Sequence, residues 1–126
     1  MADKVEEKTH FICDSNQLVN GGKGIRFMVS RHGEPTPAFV VRFRDQVHAY
    51  LNLCAHQAME LDWNEGDFFD RKKEYLICAT HGARYYPDSG RCAGGQCAGR
   101  QLVKLEIEEQ NTQVFLRKSN DIHLIA

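Results

Sequence analysis

Long apolar runs are missing from this chain: no stretch approaches the roughly 18 residues that a membrane-spanning helix requires. Neither sign of charge dominates, since 16 Lys and Arg stand against 17 Asp and Glu, a formal net charge of −1. That balance removes the global electrostatic case for nucleic acid or an anionic membrane as partner. There are no internal repeats, no low-complexity tracts and no long helical period. The opening Met1-Ala2-Asp3-Lys4-Val5-Glu6-Glu7-Lys8-Thr9 is charged and lacks an apolar segment, so a secretory signal is not expected. No Ser/His/Asp or Cys/His nucleophile set and no carboxylate dyad is apparent. Asn20-Gly21-Gly22-Lys23-Gly24 lacks the spacing of a phosphate-binding loop and reads as a hairpin turn.

What remains is a chain for one β-rich domain. Its 126 residues, 42% hydrophobic and 26% charged, suffice to bury roughly 65% of the unfolded surface. Short strand-like runs are predicted at His10–Cys13, Ile25–Ser30, Ala38–Phe43, Val47–Leu53, Tyr75–Ile77, Leu102–Glu108 and Val114–Arg117, with turn residues between them. In the sixth run Leu105 and Ile107 alternate with Lys104, Glu106 and Glu108, the pattern of a strand with one face in the core. The segment 57–73 reads as mostly irregular, with Trp63, Phe68 and Phe69 as packing anchors. Five cysteines, an odd number, suit thiols used for metal in a reducing compartment, the cytoplasm, better than a disulfide framework.

Two of those cysteines lie in short motifs that each add an imidazole. Cys54-Ala55-His56 is a C-x-H, and Cys78-Ala79-Thr80-His81 is a C-x-x-H. Two thiolates and two imidazoles suit an iron–sulfur cluster, and the same set also suits structural zinc. Zinc loops more often use C-x-x-C or H-x-x-x-H spacings. Around the second motif the chain runs on as Gly82-Ala83-Arg84-Tyr85-Tyr86-Pro87-Asp88-Ser89-Gly90, where Gly82 allows close backbone approach and the last four residues carry turn chemistry.

This constellation resembles the paired ligand loops of Rieske [2Fe-2S] proteins, whose second loop reads C-x-x-H-G-x-x-[FY]-x-x-x-[ST]-G. The resemblance implies an all-β fold, an antiparallel sandwich base with a cluster-binding lobe inserted at about 54–97, in a single domain spanning 1–126. It implies Cys54 and Cys78 on one iron and His56 and His81 on the other. Replacing two thiolates by neutral imidazoles removes two negative charges, which places such potentials at about −150 to +300 mV, against about −400 mV for plant-type ferredoxins.

The departures from the family pattern are informative. The membrane-bound, high-potential members join their two loops by a disulfide, at positions held here by Met59 and Thr80. The serine that donates to a bridging sulfur there is Ala83 here, while Tyr85 matches the tyrosine that bonds a ligand sulfur. A low to intermediate potential follows, as in soluble Rieske ferredoxins that feed oxygenases. Gly82, Ala83, Tyr85, Gln96 and Cys97 are the residues expected to surround the ligands, the last two in a glycine-rich third loop. Cys92 and Cys97 are read as two reduced thiols filling space, with a short disulfide or redox-active pair as the alternative.

The implied function is one-electron transfer, by a carrier with no catalytic residues of its own, from a reductase to an oxygenase such as a dioxygenase, or to another redox partner. The 2-His-1-carboxylate set of an oxygenase's non-haem iron is not found. Alternatives are an accessory subunit of a reductase resembling nitrite reductase, a redox-sensing regulatory module and a zinc-stapled interaction domain. Neither nucleic acid nor membrane is an expected partner. His10, His32, His48 and His123 read as surface or core residues. Glu60, Asp62, Glu65, Asp67 and Asp70 read as a solvated acidic face, or as a steering patch for a basic partner if they lie near the ligands.

Overall fold

A computed structural model of the protein describes residues 9–55, 59–80, 82–118 and 122–125. His56 and His81 are outside the described residues. The strands are β1 (Thr9–Asp14), β2 (Ile25–Arg31), β3 (Glu34–Phe43), β4 (Gln46–Leu51), β5 (Leu76–Ile77), β6 (Arg84–Tyr85), β7 (Cys92–Gly94), β8 (Lys104–Leu105), β9 (Ile107–Gln110), β10 (Gln113–Arg117) and β11 (Ile122–Leu124). They form three antiparallel sheets, ordered β1-β10-β9, β11-β2-β3-β4-β8 and β5-β6-β7. The only helical element among the described residues is a 3-10 turn at Ser15–Gln17.

The five-stranded sheet lies between two cores, and β3 shows why. Ala38 and Val40 face one cluster with Phe27, Val29, Ala49, Leu51, Leu105, Val114 and Leu116. Phe39 and Val41 face the other, with Tyr50, Leu61, Phe68, Leu76 and Tyr85. A strand buried on both faces needs apolar residues at consecutive positions, hence the unbroken Ala38-Phe39-Val40-Val41. Arg42 ties the layers at the sheet's end: its guanidinium donates to the Leu18 and Ser15 carbonyls at 2.8 and 3.2 Å and pairs with Glu109 at 3.1 Å. Cys13 fills the first core, and burial pushes its thiol up to about 11.

Several strand predictions are corrected. The run Leu102–Glu108 is not one strand: β8 pairs with β4, and β9 pairs with β10 in a different sheet. The chain changes layer at Glu106, whose carbonyl accepts from the Arg117 amide at 2.9 Å. Strand β3 begins at Glu34 and contains Pro35 and Pro37. Both are tolerated because the β3–β4 ladder begins at Ala38, so the missing amides face no β4 partner. Strands β6, β7 and β11 are too short to have shown a period.

Three two-residue turns connect neighbouring strands: His32-Gly33, Arg44-Asp45 and Asn111-Thr112, all with positive φ. Left-handed backbone disfavours side chains, above all branched ones, yet two of these turns contain no glycine. Asp45 is held by Asn20, which donates to its carboxylate at 2.8 Å and accepts from its amide at 2.7 Å. Asn20-Gly21-Gly22, expected to be a hairpin turn, leads from the 3-10 turn towards β2, with the Gly22 amide bonded to the Val19 carbonyl at 2.8 Å.

Candidate metal centre

The first candidate loop leaves β4 at Asn52, whose amide and side chain are bonded inside the fold. Its amide donates to the Pro37 carbonyl at 2.8 Å, its side-chain oxygen accepts from the Leu61 amide at 2.9 Å, and its Nδ2 donates to Asp62 at 2.9 Å. The loop closes where the Cys54 amide donates to the Met59 carbonyl at 2.7 Å. Asp62 anchors the far side by accepting from the Gly66 amide at 2.9 Å, with Arg26 Nε 3.5 Å away. Arg26 also pairs with Glu60.

The second loop follows β5. The Cys78 amide donates to the Ala83 carbonyl at 2.8 Å and the Gly82 amide to the Cys78 carbonyl at 2.7 Å, with Gly82 at φ 70°. The Ala79 amide donates to the Leu61 carbonyl at 3.0 Å, joining this loop to the segment that anchors the first.

The fold brings Cys54 and Cys78 into one buried cluster with Ala83, Tyr85 and Cys97, and neither Cys54 nor Cys78 is in a disulfide. Tyr85, fully buried, has its hydroxyl 3.1 Å from Cys54 Sγ and accepts from the Ala55 amide at 3.0 Å. To a deprotonated Cys54 sulfur, which has no proton of its own, the hydroxyl is the donor. Burial, then the Cys54 sulfur, raises the Tyr85 pKa and keeps the phenol protonated. Two dry sulfurs with a hydroxyl donor aimed at one of them fit the thiolate side of an iron–sulfur cluster. Among the described residues no group of three or more His, Cys, Asp or Glu forms a metal set; the two histidines that would complete it fall outside them.

The third loop departs from the reduced-thiol expectation. Cys92 and Cys97 form a disulfide, because β7 runs beside β6 and the turn after it carries Cys97 back into the same core. Gln96 is exposed.

Two expectations for the insert are also corrected. Trp63 is 81% exposed while Phe68 and Phe69 are buried; Leu61 and the bonded Asp62 take the inward positions, so the next residue points out. Asp62 is no solvated acid but a buried hub. Asn52 and Arg26 were missed as scaffold residues, and the available signal was a lone amide inside the apolar run Tyr50-Leu51-Asn52-Leu53.

The Rieske [2Fe-2S] domain family model matches residues 8–122. No curated protein sequence matches the chain. Among solved structures, the ferredoxin of carbazole 1,9a-dioxygenase from Nocardioides aromaticivorans IC177 is 19% identical, with a TM-score of 0.67 over 89% of this chain and 99% of that one. A Sphingomonas yanoikuyae B1 ferredoxin is 14% identical, with a TM-score of 0.67 over 88% of this chain and 99% of that one. A chain in the complex of reduced oxygenase and oxidized ferredoxin in carbazole 1,9a-dioxygenase is 23% identical, with a TM-score of 0.66 over 87% and 93%. These likenesses establish the shared all-β fold, and the match over nearly the whole sequence establishes the family: the chain belongs to the Rieske [2Fe-2S] domain family, whose cofactor is a [2Fe-2S] cluster.

Proposed function

We propose that this protein is a one-electron carrier, a Rieske-type ferredoxin working in the cytoplasm between a reductase and an oxygenase. In this reading Cys54 and Cys78 hold one iron and His56 and His81 the other, within a cluster lobe of about 54–97 in a single domain. The observation that carries it is the burial of Cys54 and Cys78 in one core with the Tyr85 hydroxyl on Cys54 Sγ. Reversible one-electron storage is the chemistry the cluster supplies when bound. The chain's own residues do the rest. Tyr85 donates to a ligand sulfur, which favours the more negative state. Leu61, Leu76 and Ala83 exclude water from the sulfurs. Asn52 and Asp62 fix the first loop, and Ala83, with no donor, leaves the potential low to intermediate.

An oxygenase as acceptor is supported by the carbazole dioxygenase ferredoxin, which forms a complex with its oxygenase. A surface for such a partner is supported by exposed Trp63, which lines a groove with Ala79 of the second ligand loop and with Arg84. Large aromatic side chains of this kind anchor protein interfaces. Among the described residues no helix is long and apolar enough to cross a membrane.

Aerobic purification, an absorption spectrum, then dithionite reduction and EPR test the assignment. A brown protein whose reduced signal has the low average g of His-ligated clusters is expected. His56→Cys and His81→Cys should each lower the potential sharply or abolish assembly. A colourless protein with stoichiometric zinc, or unchanged spectra in both variants, overturns it.

A further inference from the structure

We propose that the Cys92–Cys97 disulfide is a reversible thiol switch that clamps the third loop across both ligand loops. The inference rests on the reading of 54–59 and 78–83 as those loops.

Its position is the first argument. Gly95, inside the disulfide ring, lies so close to the second loop that an added Cβ would stand 3.1 Å from Ala83 Cα and 3.4 Å from the Gly82 carbonyl oxygen. Arg100, just beyond the ring, donates through Nη1 to the Ala55 carbonyl of the first loop at 3.2 Å. The ring is joined to Arg100 by two further bonds: the Cys92 amide donates to the Arg100 carbonyl at 3.0 Å, and the Arg100 amide to the Cys97 carbonyl at 2.8 Å. One short strap thus touches both ligand loops. It carries the sole disulfide among the described residues, and the positions that join the two loops in high-potential relatives, Met59 and Thr80, hold no cysteine.

Its asymmetry is the second. Cys97 is fully buried, whereas Cys92 is partly exposed. Exchange requires in-line access to a sulfur, and only Cys92 offers it. A thiolate of a dithiol reductant forms a bond to Cys92 Sγ, and the electron pair of the Cys92–Cys97 bond leaves on Cys97 Sγ, which takes a proton. The reductant's second thiolate then attacks the mixed disulfide. It closes its own disulfide and releases Cys92 as a thiolate, which takes the second proton. The released Cys97 thiol has acceptors in place, since the carbonyl oxygens of Gly94 and Arg84 lie 3.4 and 3.5 Å from its sulfur. Both states of the pair therefore have a home. What differs is whether the ring holds Gly95 down.

The test uses the cluster-loaded wild-type protein before and after incubation with dithiothreitol, with reoxidation by glutathione disulfide. Alkylation and mass spectrometry should show reduction, with Cys92 labelled at least about tenfold faster than Cys97, as exposure dictates. Amide exchange at Gly82 and cluster loss in air should both rise severalfold on reduction and return on reoxidation; the Cys92→Ser/Cys97→Ser variant should remain in the fast state. A disulfide that resists dithiothreitol in the folded protein overturns the switch, and ready reduction with unchanged exchange at Gly82 overturns the clamp. A colourless protein overturns only the cluster assignment, and the exchange measurement still decides the clamp.

Discussion

Tyr85→Phe removes one oxygen from the centre of the site, and its consequence can be worked from two bonds. The hydroxyl lies 3.1 Å from Cys54 Sγ, to which it donates when the sulfur is a thiolate, and accepts from the Ala55 amide at 3.0 Å. A hydrogen bond to a charged acceptor contributes about 1.5–3 kcal/mol, and only the part that grows when the sulfur becomes more negative affects the potential. If about a third to a half of the bond is differential, the variant loses roughly 0.5–1.5 kcal/mol of preference for the reduced state. At 59 mV per 1.4 kcal/mol for one electron, its potential should fall by about 20–60 mV. Leaving the half-buried Ala55 amide unpartnered should cost about 1 kcal/mol of stability as well. Tyr50→Phe is the control: it loses an equally buried bond, to the Pro87 carbonyl at 2.7 Å, with no ligand sulfur as partner. Protein-film voltammetry on both variants separates the cases. A Tyr85→Phe potential that is unchanged or raised, or an equal fall in Tyr50→Phe, refutes the reasoning.

The remaining predictions concern scaffold, turn, pH and surface. Asn52→Ala leaves the Leu61 amide and Asp62 without their shared partner and should destabilise by about 2–3 kcal/mol, measured by chemical denaturation; a loss below about 0.5 kcal/mol would remove Asn52 as the anchor of the first loop. Thr112→Gly relieves a branched residue at φ 63° and should raise stability by about 1 kcal/mol, with thermal melting as the check. Burial, then Lys104, lowers the pKa of His48, so the unfolded chain binds the proton more readily. Stability is therefore fully present above about pH 6.5 and declines as pH falls through the folded pKa; His48→Gln should flatten that part of the stability profile, and an unaltered slope would rule out His48 as its source. Trp63→Ala should weaken partner binding by about tenfold or more at unchanged potential, read by calorimetry with an oxygenase; unaltered affinity would place the docking surface elsewhere.

The all-β class and the family motif were legible because each rests on local chemistry. Strand runs with turn residues between them, and a thiol one or two residues from an imidazole, are properties of neighbours along the chain. The failures share a cause. Trp63 and Asp62 are adjacent polar-context residues, and only the bonds of Asp62 to Asn52 and Gly66 determine which of the two turns inward. Likewise the apolar alternation through Leu105 and Ile107 correctly marks core positions but not that they serve different sheets.

By itself the sequence determined the kind of fold, the family motif and the cysteines available to a cluster, since residue type and short spacing fix these. Only the tertiary structure decided that Cys92 and Cys97 are joined, that Tyr85 reaches Cys54, and that Arg100 and Gly95 link the third loop to the other two. Each of those is a meeting of residues from different loops, and the distance between them is set by how three sheets stack, a quantity no local pattern of residues encodes.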